Sequence, residues 1–315
     1  MITIYNKLKN SYAVLMQLTR ASSYANKLFM LIPFFSLLAS ENIVSSYTLV
    51  IFLVVPFVFL HAAGFTYNQI CDAYVDSVDK NPITRGSISK SKSMLLLLAF
   101  LITSIIFFFL FYTTIVAFLL FAVYIFFWFS YSGLKIRFKE TVIGIFVASF
   151  VLWSAAPLII LTQFDYFSST ALFLLLFIFL VCASRELHHT LLDYEDDAVK
   201  NCKTFAVRVG RTKAIIVKYI LYSAGYLCIL LNSVFSRNPL LQGLSFLYGT
   251  VYFVIVVMEV LSYRLRNGLG FFWVTGNWIK YLNRLYLLIF SVIYLPLSPL
   301  IAFLIVWAFF TTEPY

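Results

Sequence analysis

Asn68-Gln69-Ile70-Cys71-Asp72-Ala73-Tyr74-Val75-Asp76-Ser77-Val78-Asp79-Lys80-Asn81-Pro82 closes a long apolar run and decides how the chain is read. Asn68, Asp72 and Asp76 recur every fourth residue. On a helix, residues four apart share a face, so one carboxamide and two carboxylates would project from a single stripe. The apolar run 47–66 is expected to continue as helix through this stretch until Pro82 stops it. Like charges at that spacing repel, and a hard divalent cation with oxygen ligands offsets the repulsion. Mg²⁺ suits the donors, because it is commonly held by one or two carboxylates together with substrate phosphates.

A second stretch has the same design. Asp193-Tyr194-Glu195-Asp196-Asp197 follows another apolar run and again sets two aspartates four residues apart. Of the 13 acidic residues, eight fall in the segments 68–82 and 185–197: Asp72, Asp76 and Asp79, then Glu186, Asp193, Glu195, Asp196 and Asp197. A single acidic run is commonly just solvated surface. Two matched pairs, each at the end of an apolar run and flanked by basic residues, point instead to two ions gripping one diphosphate. Its charge grows as a carbon–oxygen bond breaks, and paired ions stabilise it.

The rest of the composition sets the solvent. The chain is 62% hydrophobic and 11% charged, with mean hydropathy +0.94, which excludes an ordinary soluble protein of 315 residues. A helix needs about 20 apolar residues to cross roughly 30 Å of hydrocarbon. Nine runs qualify as candidates: 27–40, 47–66, 93–113, 115–132, 141–161, 168–184, 214–235, 244–263 and 285–309. The third and fourth nearly fuse, leaving only Tyr112, Thr113 and Thr114 for a tight turn. With the N-terminus cytoplasmic, every Lys and Arg except Arg237 falls on the inner side, as the positive-inside rule requires. The net charge of +10 therefore reports topology, and no nucleic-acid partner is expected. Cys71, Cys182, Cys202 and Cys228 have no paired metal spacing and read as reduced thiols. No cleavable signal peptide is evident.

With these motifs in hand, the chain resembles the UbiA superfamily of intramembrane prenyltransferases. That family's Asn-x-x-x-Asp-x-x-x-Asp pattern after the second span matches Asn68, Asp72 and Asp76. Its trailing stretch resembles Asn81-Pro82-Ile83-Thr84-Arg85-Gly86, and its Asp-x-x-x-Asp after span six matches Asp193 and Asp197, followed by Thr204 and Gly210. A Tyr-Ser-x-x-x-x-Arg-x-Lys stretch after span four matches Tyr131, Ser132, Arg137 and Lys139. Gln69 stands where many members have Asp, Thr190 where an acid is frequent, and the pair His188-His189 is less usual.

The resemblance implies an all-α polytopic membrane protein, one domain over 1–315. Nine transmembrane helices would surround a central cavity with a cytoplasmic cap, and the aspartate motifs would lie at 68–86 and 185–210. It implies that Asp72, Asp76, Asp193 and Asp197 bind Mg²⁺ and carry catalysis. Asn68, Arg85, Tyr131, Arg137, Lys139, Lys203 and His189 would contact substrate. The expected partners are a prenyl diphosphate, a hydrophobic and aromatic acceptor, and membrane lipid. The expected activity is prenyl transfer. The alternatives are a cyclase of the same superfamily and, in a different class, a membrane transporter or lipid-binding protein. No inverted repeat favours transport. His188 or His189 is a candidate to orient an acceptor or act as base, His61 a candidate cavity residue, and Glu259 is expected to pair with a nearby Arg.

Overall fold

The computed structural model describes residues 2–21, 30–44, 47–74, 76–133, 137–236, 238–266, 279 and 281–291. Among them all regular structure is helical. In chain order the helices are α1 (Ile2–Thr19), α2 (Ile32–Ser40), α3 (Tyr47–Asp72), α4 (Lys90–Phe111) and α5 (Ile115–Ser132). Then follow α6 (Gly144–Gln163), α7 (Ser169–Leu192), α8 (Tyr194–Val199), α9 (Phe205–Val209), α10 (Arg211–Phe235) and α11 (Pro239–Arg266). A last helical stretch, α12, covers 281–291. Seven of these, α3 to α7 with α10 and α11, are long and apolar enough to span a membrane. The protein is thus an integral, multi-pass membrane protein.

Nine spans were expected, and the described residues bear out seven. Among its described residues the first expected run holds the nine-residue α2, with Pro33 in its first turn and Glu41 as its C-cap. Most of the ninth, beyond 291, lies outside the described residues, as do Lys135, Arg237 and Glu313. The tight hairpin holds: α4 stops at Phe111, and Thr114 caps α5 by accepting from the Ala117 amide.

The chain divides into two compact units. The first holds Met1–Phe29, Ser46–Arg137 and Phe303–Tyr315; the second holds Met30–Ser45 and Phe138–Ala302. In the first, α3 packs lengthwise on α4, with α1 and α5 also against α3. Pro56 interrupts the hydrogen-bond ladder inside α3. In that region Ser104 donates to the Pro56 carbonyl at 2.7 Å and Tyr112 to the Leu53 carbonyl at 2.9 Å, since backbone groups in lipid must be satisfied within the protein. Leu95, Leu98, Ile102, Ile106 and Phe109 leave α4 apolar on its outer face, which suits lipid contact.

In the second unit α7 is central, packed on α6 and α10, with α11 against α10. Pro157 has no N–H to give the Trp153 carbonyl, and α6 widens into a π turn over Phe150–Ser154 just before it. Ala183, Leu187, Leu191, Phe205 and Ala214 form a buried cluster at the end of α7. That cluster anchors the short helices carrying the second aspartate motif.

Candidate functional site

The first motif begins with a departure from the sequence pattern. The α3 helix does not run to Pro82; it ends at Asp72, and Asp76 sits in a bend beyond it. The reason is long-range capping. The Asn81 side chain donates to the Gln69 carbonyl at 2.8 Å, and the Thr84 hydroxyl to the Ala73 carbonyl at 2.7 Å. The returning loop thus satisfies carbonyls that a helix end leaves open. Asp76 is still tied to Asp72, its amide donating to the Asp72 carbonyl at 2.9 Å. The same Asn81 amide group donates to the Asp76 carboxylate at 3.3 Å. Asn81 therefore both ends the helix and orients the second carboxylate.

Asp72 is buried, and Arg137 donates to its Oδ1 at 3.3 Å. Arg137 also donates to the Tyr74 hydroxyl at 2.8 Å, from a backbone with φ of 39°. The Ser132 hydroxyl donates to Asn68 Oδ1. Tyr131, next to it, is half-buried. Two turns deeper on the same face of α3, His61 bonds the Phe57 carbonyl through Nδ1 at 2.8 Å. A carbonyl only accepts, so that nitrogen carries the proton. Tyr124 and Trp128 of α5 flank His61, the Trp128 ring edge-on at 5.4 Å. Gly64 allows this approach: a Cβ there would lie 2.3 Å from the indole. Gln69 is buried on another face of α3. Arg85 is turned toward Gln17 and Ser87.

The second motif sits where α7 gives way to α8. Asp193 is exposed and serves as the junction residue of both helices. The Asp197 amide donates to the Asp193 carbonyl at 2.8 Å, so the four-residue spacing does put the pair on one helical turn. Asp197 is half-buried and accepts from the Thr204 hydroxyl at 3.1 Å. Burial pushes its carboxyl above the usual range, Asp193 and Asp196 add to that, and Thr204 and Lys200 oppose it. The Cys202 thiol beside it is raised by burial and then by Asp197 and Glu140, against Lys139 and Lys200. Lys139 thus lies in the same charged neighbourhood as Asp197. Arg208 donates to the Glu140 and Lys203 carbonyls at 2.6 and 3.0 Å, tying the loop after α5 to the loop after α8. Gly210, with φ of 85°, makes the turn into α10 that an L side chain would strain. Lys203 and His189 are exposed.

The sequence reading missed what lies beneath this motif. Lys218 was counted as a topology anchor, yet its side chain is fully buried inside α10. It pairs with Glu259 of α11 and donates to His188 Nδ1 of α7 at 2.9 Å. Glu259, expected to pair with a nearby Arg, has this Lys as its ion-pair partner. An ammonium only donates, so His188 is held with its proton on Nε2. Tyr219 and Tyr222 place ring faces 5.7 and 5.4 Å from the ammonium. No sequence spacing announces this contact, because its three residues come from three helices.

Each aspartate pair offers hard oxygen donors. Among the described residues no three His, Cys, Asp or Glu side chains gather closely enough to hold an ion alone. Carboxylate pairs of this kind suit Mg²⁺, which completes its octahedron with substrate oxygens and water.

The sequence matches the UbiA prenyltransferase family over residues 28–274. No curated protein sequence matches it. Among solved structures, it is similar to a UbiA homologue from Archaeoglobus fulgidus bound to GPP and Mg²⁺, with 18% identity and a TM-score of 0.65 over 95% of this chain and 99% of that one. A digeranylgeranylglyceryl phosphate synthase gives 17% identity and a TM-score of 0.65, covering 93% and 100%. A UbiA homologue from Aeropyrum pernix K1 gives 16% identity and 0.64, covering 84% and 96%. These likenesses show a shared fold, and the match over 28–274 shows that the chain belongs to the UbiA prenyltransferase family.

Proposed function

We propose that this protein is a Mg²⁺-dependent intramembrane prenyltransferase that moves a prenyl group from a prenyl diphosphate to a hydrophobic, aromatic acceptor. The observation that carries the reading is the pair of aspartate motifs. Each ends a membrane helix, and each is braced by its own hydrogen bonds: Arg137 and Asn81 on the first, Thr204 on the second. The A. fulgidus homologues bind GPP or DMAPP together with Mg²⁺, which supports the same ligands here.

In this reading Asp72, Asp76, Asp193 and Asp197 hold magnesium, which when bound neutralises charge building on the departing diphosphate. Arg137 neutralises Asp72 before substrate arrives and then turns its guanidinium to the diphosphate, which it suits as a planar donor. Lys139 and Lys203 add charge-assisted contacts. Asn68 has its oxygen engaged by Ser132, which leaves its amide N–H groups to donate to a phosphate oxygen. Ionisation leaves an allylic cation on the prenyl carbon. An acceptor ring carbon bonds to it and gives up its proton to the released diphosphate, and His189 and Tyr131 are each assigned as substrate contacts. The N-terminus and both motifs are assigned to the cytoplasmic side, from the basic residues at that end.

The test is to incubate purified protein and Mg²⁺ with a panel of prenyl diphosphates and membrane lipid extract, followed by mass spectrometry. A prenylated aromatic product is expected. A cyclised hydrocarbon formed without acceptor would assign the chain to the cyclases instead. Unchanged diphosphate under all conditions would sink the reading.

A further inference from the structure

A groove of about 990 Å³ lies in the first unit between α1 and the segment that leads from Arg85 into α4. Its lining has two parts. Arg85 and Lys92 supply positive charge, with Asn10, Ser87 and Ser89 beside them, and among the described residues no acidic one lines it. Val14, Leu15 and Leu96 supply an apolar floor. The two parts lie at different membrane depths. Lys92 is in the first turn of a spanning helix, and Leu96 is one turn further in, about 6 Å at 1.5 Å per residue. A volume near 1,000 Å³ is at the upper end of what small-molecule sites enclose.

The α1 helix fits the same level. It is not among the helices apolar enough to span, and its Tyr12 and Leu15 are exposed. A helix with apolar residues facing outward and polar ones beside them lies in the interface between headgroups and acyl chains. Gln17 on α1 accepts from Arg85 at 2.5 Å and donates to the Asp79 carbonyl at 3.3 Å. The basic wall is therefore tied to the loop that follows Asp76.

We propose that this groove binds an anionic phospholipid, its phosphate headgroup against Arg85 and Lys92 and an acyl chain along Val14, Leu15 and Leu96. Charge complementarity selects the occupant. A zwitterionic headgroup brings no net charge to a wall that carries two cations, a free anion leaves the apolar floor uncovered, and a protein segment is not needed to explain either part. The groove borrows Arg85 from the tail of the first aspartate motif but contains none of the four aspartates, and lipid binding there does not depend on prenyl transfer. It lies where clusters of basic residues at a membrane surface recognise acidic lipids.

The experiment is native mass spectrometry of the full chain in neutral detergent, titrated with phosphatidylglycerol or phosphatidylcholine of matched acyl chains. A basic residue near the surface contributes about fivefold, so the expected preference for phosphatidylglycerol is roughly 30-fold from two. The double variant Arg85→Gln/Lys92→Gln is expected to reduce it to near parity, with its melting temperature unchanged. Asn10→Glu, an exposed position on α1, is expected to weaken phosphatidylglycerol binding even if the double variant proves unstable. Equal binding of the two lipids by the unaltered protein, or a preference that survives both variants, would overturn the proposal. So would displacement of phosphatidylglycerol by inorganic phosphate or glycerol phosphate at equal concentration, because the acyl chain would then contribute nothing.

Discussion

The two units solve one problem in different ways. Each ends a membrane helix in a pair of aspartates, and each buries a histidine network beneath them. In the first, the network is formally neutral: His61 donates from Nδ1 to the Phe57 carbonyl and packs among Tyr124 and Trp128. In the second it holds a full ion pair, Lys218 with Glu259, and His188 has the opposite tautomer. The aspartates differ in the reverse sense. Asp72 already has a guanidinium beside it, whereas Asp197 has a hydroxyl and sits among further carboxylates. Asp72 thus has a cation in direct contact, whereas Asp197 is opposed to Asp193 and Asp196 with Lys200 as the cation acting on it. The second unit therefore adds a buried ion pair, Lys218 with Glu259, to the surface pair of Arg211 with Glu195, whereas the described ion pair of the first unit lies at its aspartate motif.

The hardest test of that comparison is to remove one aspartate from each motif. Asp72→Ala and Asp193→Ala are each expected to lower turnover about 10³-fold, the scale on which electrostatic stabilisation of a leaving group is lost. Membrane insertion and purification should be retained. If both pairs serve one diphosphate, the double variant will be little worse than either single, since groups acting as a unit are strongly non-additive. Independent losses that multiply would show two separate sites, and full turnover in either single variant would remove that pair from the chemistry.

Next in size is the interior contrast, read in stability. Glu259→Gln strands the Lys218 ammonium in a buried site, and removing one partner of such a pair costs about 3–5 kcal/mol. The double variant Glu259→Gln/Lys218→Met is expected to recover most of that, because neither charge is then buried. His61→Phe exchanges a neutral ring for another among aromatic neighbours and should cost nearer 1 kcal/mol, the net worth of one hydrogen bond. Thermal melting in detergent ranks the three. Equal melting of Glu259→Gln and His61→Phe would erase the distinction between a charged and a neutral network.

These networks also mark how far the sequence could be read. Seven of the nine spans, the hairpin at Tyr112–Thr114 and the one-turn spacing of Asp193 and Asp197 are local patterns, and they survive in the described residues. The end of α3 does not follow from local pattern. Asn81 reaches back 12 residues to the Gln69 carbonyl, and that contact, not Pro82, stops the helix at Asp72. The Lys218–Glu259 pair spans 41 residues and joins two helices. A lone Lys just inside an apolar run looks the same in sequence whether it faces water or another helix. Only the helix ends seen in the structure put Lys218 seven residues inside α10 and Glu259 seven before the end of α11, at similar depths.

A smaller effect tests the balance at the first motif. Arg137→Gln removes the guanidinium beside Asp72 and is expected to raise the diphosphate KM about 10- to 100-fold, the value of one or two charge-assisted hydrogen bonds. Binding of Mg²⁺ alone should tighten in that variant, because Asp72 no longer has an internal cation competing for its oxygens. Isothermal titration of Mg²⁺ separates the two effects. Weaker magnesium binding in Arg137→Gln would mean that the guanidinium shapes the carboxylate for the metal, and the picture of a placeholder cation would fail.

The smallest expected effect concerns the second motif and its acidity. Asp197 has a carboxyl raised above the ordinary range, chiefly by burial, and Thr204 pulls it back down by hydrogen bonding the ionised form. The folded-state value lies above the unfolded one. Its contribution to stability is therefore present below the unfolded value and lost as pH rises through the folded value. Metal binding has the opposite sign, since it needs the carboxylate, so Mg²⁺-dependent turnover should fall as pH drops through that raised value. Thr204→Val removes the restraint, raises the carboxyl further, and is expected to move the acid limb of the kcat/KM profile to higher pH by less than about one unit. At pH 8 its turnover should stay within a fewfold of the unaltered protein. Ser132→Ala, which touches only the first motif, should leave the position of that limb unchanged. An acid limb that moves equally in both variants would locate the titration outside Asp197, and the contrast between Asp72 and Asp197 would have no support from pH.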